Sequence, residues 1–207
     1  PVGPVGPACQ TAGMGVPNLT RVDARARAEL VSVSGYEVEL DLTDGGGKPG
    51  ERTFRCRTTI RFTASRPGAA TFVDVIADGF REVTLNGRAL DTSAYRPEDG
   101  LALPDLAADN VLVVDADLLY TNTGEGLHRF VDPVDGEVYL YSQFETADAK
   151  RMYTCFDQPD LKGTFALTVT APAHWEVVSN GRAEEVTEGV GGARHLGREA
   201  ERPQNVA

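Results

Sequence analysis

Gln143 and Glu145 stand two residues apart in the stretch Tyr139-Leu140-Tyr141-Ser142-Gln143-Phe144-Glu145. A strand sends successive side chains to opposite faces. Tyr139, Tyr141, Gln143 and Glu145 are therefore expected on one face, and Val138, Leu140 and Phe144 on the other. Two residues of strand rise separate the Cα atoms by ~6–7 Å, so both longer side chains can converge on one small cation. The Glu carboxylate supplies charge-assisted acceptance and the Gln carbonyl a neutral acceptor, a combination suited to an ammonium group. Spacing alone describes an ordinary solvent-facing strand better than a binding site, so the surrounding chain has to decide.

The elements that must carry this pair are mostly strands. Residues 36–42 alternate Tyr36, Val38, Leu40 and Leu42 with Glu37, Glu39 and Asp41, the period of two of a sheet with one wet face. A glycine-rich break at 45–50 separates them from residues 54–62, where Phe54, Cys56, Ile60 and Phe62 take one parity and Arg55, Arg57 and Arg61 the other. These two runs predict a hairpin. Further strands are expected at 71–76, 81–85, 111–120, 137–145, 164–170 and 175–179, with turns at Asn86-Gly87 and Asn180-Gly181. One short helix is predicted over 21–29, capped by Asn18 or Thr20. The expected fold is an all-β, antiparallel, sandwich-like domain with this single N-terminal helix.

Three segments are expected: an extended Pro/Gly tail over 1–17, with Met14 a plausible initiator, a β domain over 18–188, and a tail over 189–207. The last segment has neither alternation nor an apolar face, so disorder is expected there, with a truncation or frame error in the gene as its origin.

The 207 residues are 41% hydrophobic, enough for the core of one domain. A net charge of -11, with basic residues scattered among acids, disfavours a nucleic-acid partner. No apolar run approaches the ~20 residues that cross a bilayer, and the start has no basic region followed by an apolar one. Cys9, Cys56 and Cys155 are odd in number and far apart, which excludes a disulfide framework or a paired-cysteine metal knuckle. A soluble, cytoplasmic protein without a membrane partner is expected.

Read as a whole, the block from Gln143-Phe144-Glu145 through Lys150-Arg151 to Cys155-Phe156-Asp157-Gln158-Pro159-Asp160-Leu161-Lys162, with a strand after it, resembles the amine-recognition signature of the aminopeptidase N family of zinc peptidases. The approach from Asn122 through Gly126, Leu127 and His128 is similar to the same family. The resemblance spans residues 20–188 and is densest over 120–172. It implies the saddle-like N-terminal β domain of such an enzyme, lying beside a thermolysin-like catalytic domain of the same polypeptide. It implies that Gln143 and Glu145 bind the free α-amine of a peptide substrate, Glu145 by ion pairing and Gln143 by its side-chain carbonyl. It also implies a catalytic zinc, held in the complete enzyme by a His-Glu-x-x-His motif and a further Glu.

The zinc motif is not in these residues. His128, His174 and His195 do not place two imidazoles one helical turn apart, so no metal ligand and no catalytic residue are assigned in this chain, and the portion alone is expected to be inactive. The carboxylates of Asp132, Asp135 and Glu137 fit a polar turn better than a calcium loop. Asp157-Gln158-Pro159-Asp160 is expected to be a turn that positions rather than reacts, and Cys155 to be buried packing rather than a nucleophile. Two rival expectations stand beside the enzyme: a free-standing β-sandwich binding module that presents Tyr139 and Tyr141 to a partner, and a purely structural domain. The first predicts a sealed domain with no large apolar face uncovered.

Overall fold

Thr20 caps the first element, its side-chain oxygen accepting the Asp23 N–H at 3.2 Å, and α1 follows over Arg21–Leu30. The computed structural model describes residues 19–181, 183–188, 194–198 and 201–204. The tail expected over 1–17 and the candidate cap Asn18 lie outside them. The chain then forms β1 (Val31–Asp41), β2 (Thr53–Ala64), β3 (Thr71–Val73), β4 (Ala77–Leu85), β5 (Arg88–Ala89), β6 (Leu101–Leu103) and β7 (Asp109–Leu119). After these come β8 (Gly126–Val131), β9 (Val138–Gln143), a single 3-10 turn (Ala149–Arg151), β10 (Gly163–Ala171), β11 (Ala183–Glu188), β12 (Arg194–Arg198) and β13 (Glu201–Gln204).

The large sheet runs β11-β12-β10-β1-β2-β7-β4-β5, with β13 also paired to β10. Its inner face follows from alternation. Tyr36, Val38 and Leu40 of β1, Phe54, Cys56, Ile60 and Phe62 of β2, and Leu112, Val114, Ala116 and Leu118 of β7 are all buried. Each large apolar side chain placed this way contributes ~1.5–3 kcal/mol relative to exposure. In β1 the parity changes once, at a register shift between Val33 and Gly35, which lets Val33 and Tyr36 both face inward. Two small antiparallel sheets, β3–β6 and β8–β9, add Val73, Leu101, Leu103 and Leu127 to the same core. No helix among the described residues is long and apolar enough to cross a membrane.

The all-β expectation with one short helix holds, and several details differ. β1 pairs with β10 in parallel, not antiparallel, from Gly35 opposite Thr164 to Asp41 opposite Thr170. Alternation specifies faces and not direction, and the long connection between these strands permits a parallel crossover. Residues 175–179 carry no strand; Trp175 and Val177 pack half-buried against the core from an irregular segment, which gives the same alternation without a ladder. β8 forms where only a motif was recognised. Within the tail expected to lack order, 194–198 and 201–204 form β12 and β13 on the edge of β10. A sheet edge offers unpaired N–H and C=O groups whatever the side-chain pattern of the segment that joins it. Residues 189–193, 199, 200 and 205–207 lie outside the described residues.

Candidate functional site

Gln143 is the last residue of the β8–β9 hairpin, and Glu145 follows two residues beyond it. β9 alternates as expected at its start, with Val138 and Leu140 half-buried and Tyr139 and Tyr141 exposed. Its exposed face is covered in part by a cross-strand partner, because His128 lies opposite Tyr141 and their rings stack with centroids 4.6 Å apart. Gly126, the first residue of β8, pairs with Gln143, the last of β9.

The strand expected to continue to Glu145 stops at Gln143. Phe144 turns inward and meets Tyr153 edge-on, with ring centroids 5.8 Å apart. The chain then closes a turn in which the Asp148 N–H donates to the Phe144 carbonyl at 3.0 Å. Glu145 therefore sits in a turn, and the pleat argument for a shared face applies to Gln143 alone. What couples the two residues is local: the Glu145 N–H donates to Gln143 Oε1. A carbonyl oxygen has two lone pairs, so Gln143 retains one acceptor site beyond this bond. Both residues are exposed.

Beside the hairpin lies a cleft of about 1260 Å³. Tyr36, Leu40, Phe165 and Leu167 of the large sheet form its floor, and Leu140 and Phe144 of the hairpin side together with Trp175 form its walls. Phe144 lines it, whereas Gln143 and Glu145 do not. The inner face of β10 is thus only partly covered, since Phe165 and Leu167 are half-buried.

The segment 155–158 is built differently. Cys155 and Phe156 are wholly buried, and Phe156 packs edge-on against Phe62 at 5.3 Å between centroids. Burial pushes the Cys155 thiol well above its ordinary value, consistent with packing rather than nucleophilic chemistry. Arg27, from α1, reaches this segment with Nε donating to Gln158 Oε1 at 3.0 Å and Nη1 to Asp74 Oδ2 at 2.7 Å. Its guanidinium lies over the rings of Phe72 and Phe156, 4.7 and 5.6 Å from their centroids. Asp74 Oδ2 also accepts the Asp157 N–H, and Gln158 Nε2 donates back to the Ala24 carbonyl of α1. The Asp157 carboxylate accepts the Lys150 N–H at 3.3 Å through Oδ2 while Oδ1 is buried without a partner among the described residues. Burial with this sparse hydrogen bonding pushes the Asp157 carboxyl up to about 6. Sequence reasoning gave the turn here but missed its anchor, because one Arg in an Ala-rich helix carries no sign of being buried.

His128 Nδ1 accepts the Gly124 N–H at 3.0 Å, and His174 Nε2 faces the Glu137 carboxylate at 3.3 Å, each engaged in its own local contact. No group of three or more His, Cys, Asp or Glu among the described residues is arranged to hold a metal ion. Asp132 and Asp135 instead accept backbone N–H groups of Val134 and Glu137, as a polar turn does.

Comparison with known proteins locates this arrangement. Residues 112–195 match the Peptidase M1 N-terminal domain. Aminopeptidase N of Streptomyces lividans is 52% identical over 174 residues, which is 84% of this chain and 20% of that protein. Probable M1 family aminopeptidase 1 of Encephalitozoon cuniculi is 41% identical over 64 residues, 31% of this chain and 7% of that protein. Alanine/arginine aminopeptidase of Saccharomyces cerevisiae is 40% identical over 65 residues, 30% of this chain and 8% of that protein. The chain thus spans a fifth or less of the length of these relatives.

Proposed function

The chain belongs to the aminopeptidase N family through its N-terminal domain, and from this we propose that Gln143 and Glu145 hold the free α-amine of a peptide whose first bond is cut by a zinc centre elsewhere in the same polypeptide. The observation that carries the proposal is the pair itself: an exposed carboxylate and an exposed amide, joined by a backbone hydrogen bond at the end of a hairpin. An ammonium donates to the carboxylate and to the remaining lone pair of the Gln143 carbonyl.

Exposure sets how strong this recognition can be. In water the attraction between unit charges ~4 Å apart is ~1 kcal/mol, and it rises to ~4 kcal/mol at the effective dielectric of a partly enclosed site. Glu145 in the open, as in this domain, distinguishes amines weakly. Closed off by substrate and by the rest of an enzyme, the same carboxylate favours a free N-terminus, and an internal peptide would leave it buried without a counter-charge at a cost of several kcal/mol. Exopeptidase selectivity follows from that difference. A zinc ion in the complete enzyme would polarise the peptide carbonyl and activate water; the residues described here contribute amine binding and register. The open cleft beside the hairpin favours this proposal over a sealed, free-standing binding module.

The test is Glu145→Ala in the enzyme that carries this domain. The expected result is a raised KM for aminoacyl anilides and a reduced preference for free over N-acetylated termini. Unchanged kinetics on both substrates would remove Glu145 from the site.

A further inference from the structure

Gly126 has φ +64°, and a Cβ built on it would come within 2.5 Å of Arg151 Cβ and 3.1 Å of Arg151 Cδ. The side chain of Arg151 therefore lies directly across the glycine that pairs with Gln143. From there the guanidinium reaches two carboxylates on different segments. Nε donates to Asp148 Oδ1 at 2.7 Å, and Nη2 lies 3.4 Å from Glu125 Oε2. Asp148 closes the turn that holds Glu145, through its N–H to the Phe144 carbonyl, and Glu125 precedes β8. The Arg151 N–H donates to the Asp148 carbonyl at 3.1 Å, so the 3-10 turn and the Glu145 turn share one residue at their junction. On the hairpin side the loop is fixed as well, because Thr121 Oγ1 donates to the Glu125 carbonyl and the Gly124 N–H to His128 Nδ1. Arg151 is the side chain that ties the end of the hairpin to the turn after β9.

We propose that Arg151 is a positioning residue for Glu145, fixing the 144–148 turn against the start of β8 so that the carboxylate is held relative to Gln143. The inference rests on the proposal that Gln143 and Glu145 bind the substrate amine. Its chemistry is that of a planar fork: one guanidinium serves two carboxylates at fixed angles, which a lysine ammonium on a flexible stem does not reproduce. The backbone bond from Glu145 to Gln143 restrains the near end of the turn, and Arg151 restrains the far end. A carboxylate on a turn restrained at only one end samples positions away from the amine, and a displacement of ~1 Å is costly for recognition.

The test is a double-mutant cycle in the full-length enzyme, with aminoacyl anilides as substrates. Arg151→Gln is expected to raise KM about tenfold with kcat within about twofold, and Arg151→Lys to recover little of the loss. In a Glu145→Ala background, Arg151→Gln is expected to add almost nothing, because its effect passes through the missing carboxylate. Effects that add, or an Arg151→Gln enzyme with unchanged KM beside a Glu145→Ala enzyme with raised KM, would overturn the positioning role and leave the amine site standing. Unchanged KM for Glu145→Ala alone would overturn the amine site and this inference with it. Should Arg151→Gln not fold, Asp148→Ala removes one of the two anchors while keeping the arginine. It is expected to raise KM in the same direction, and an unchanged KM there counts against the inference.

Discussion

Two parts of one signature block meet opposite physical conditions. The segment 155–158 is buried and cross-tied to α1 and to Asp74, with Arg27 2% exposed among its contacts. The hairpin end carrying Gln143 and Glu145 is exposed and held by a few local hydrogen bonds and by Arg151. Neighbouring residues of one motif therefore serve different ends. The buried part ties the chain after the hairpin to α1 and Asp74, and the exposed part keeps its polar groups available. A residue needed for folding cannot easily be spared for a ligand, because removing its partner leaves an unpaired group in low dielectric.

The largest effect that would sharpen this contrast is at Asp74. Asp74→Ala takes the carboxylate from a guanidinium that is 1% exposed, and urea unfolding is expected to show a loss of about 3–5 kcal/mol. A loss below about 1 kcal/mol would break the comparison, since the inner segment would then be no more cross-tied than the hairpin end.

Asp157 gives the next effect. Its folded carboxyl lies at about 6, above the ordinary 3.8, because burial disfavours the charged form. A raised folded value stabilises the fold below the ordinary carboxyl range, and that stability is lost as pH rises through about 6. Between pH 4 and pH 8 the wild type is expected to lose about 2–3 kcal/mol relative to Asp157→Asn, which cannot ionise. Parallel stability curves for the two proteins would show that the carboxyl is not held in a desolvated site.

The smallest effect belongs to the exposed end. Glu145→Ala is expected to change unfolding stability by no more than about 0.5 kcal/mol, measured under the same conditions as Asp74→Ala. A loss of several kcal/mol would make Glu145 part of the scaffold and erase the division drawn above.

The sequence made some elements legible and hid others for identifiable reasons. The pairing of β1 with β2 was readable because each strand carries a clean alternation with one wet face. The cap at Thr20 was readable because a hydroxyl before an Ala-rich run has one favourable use. The end of β9 was misplaced by two residues: Gln143-Phe144-Glu145 alternates on paper, but Phe144 finds its partner in Tyr153, 5.8 Å away between ring centroids, and the turn begins there. Arg27 gave no signal and Arg151 entered only as part of the basic link of the block, its bridging role hidden, since an arginine bridging distant segments looks like any surface arginine until those segments are brought together.

By itself the order of residues determined the strand-rich character, the chemistry available at 143 and 145, and the kinship of the block that contains them, because side-chain periodicity and functional groups are local properties of a chain. Only the tertiary structure decided which of those groups stay in water, which arginines become internal ties, and that β10 runs parallel to β1. Those outcomes depend on contacts between residues far apart in sequence, and their energies come from burial and from charges brought close, neither of which exists before the chain is folded.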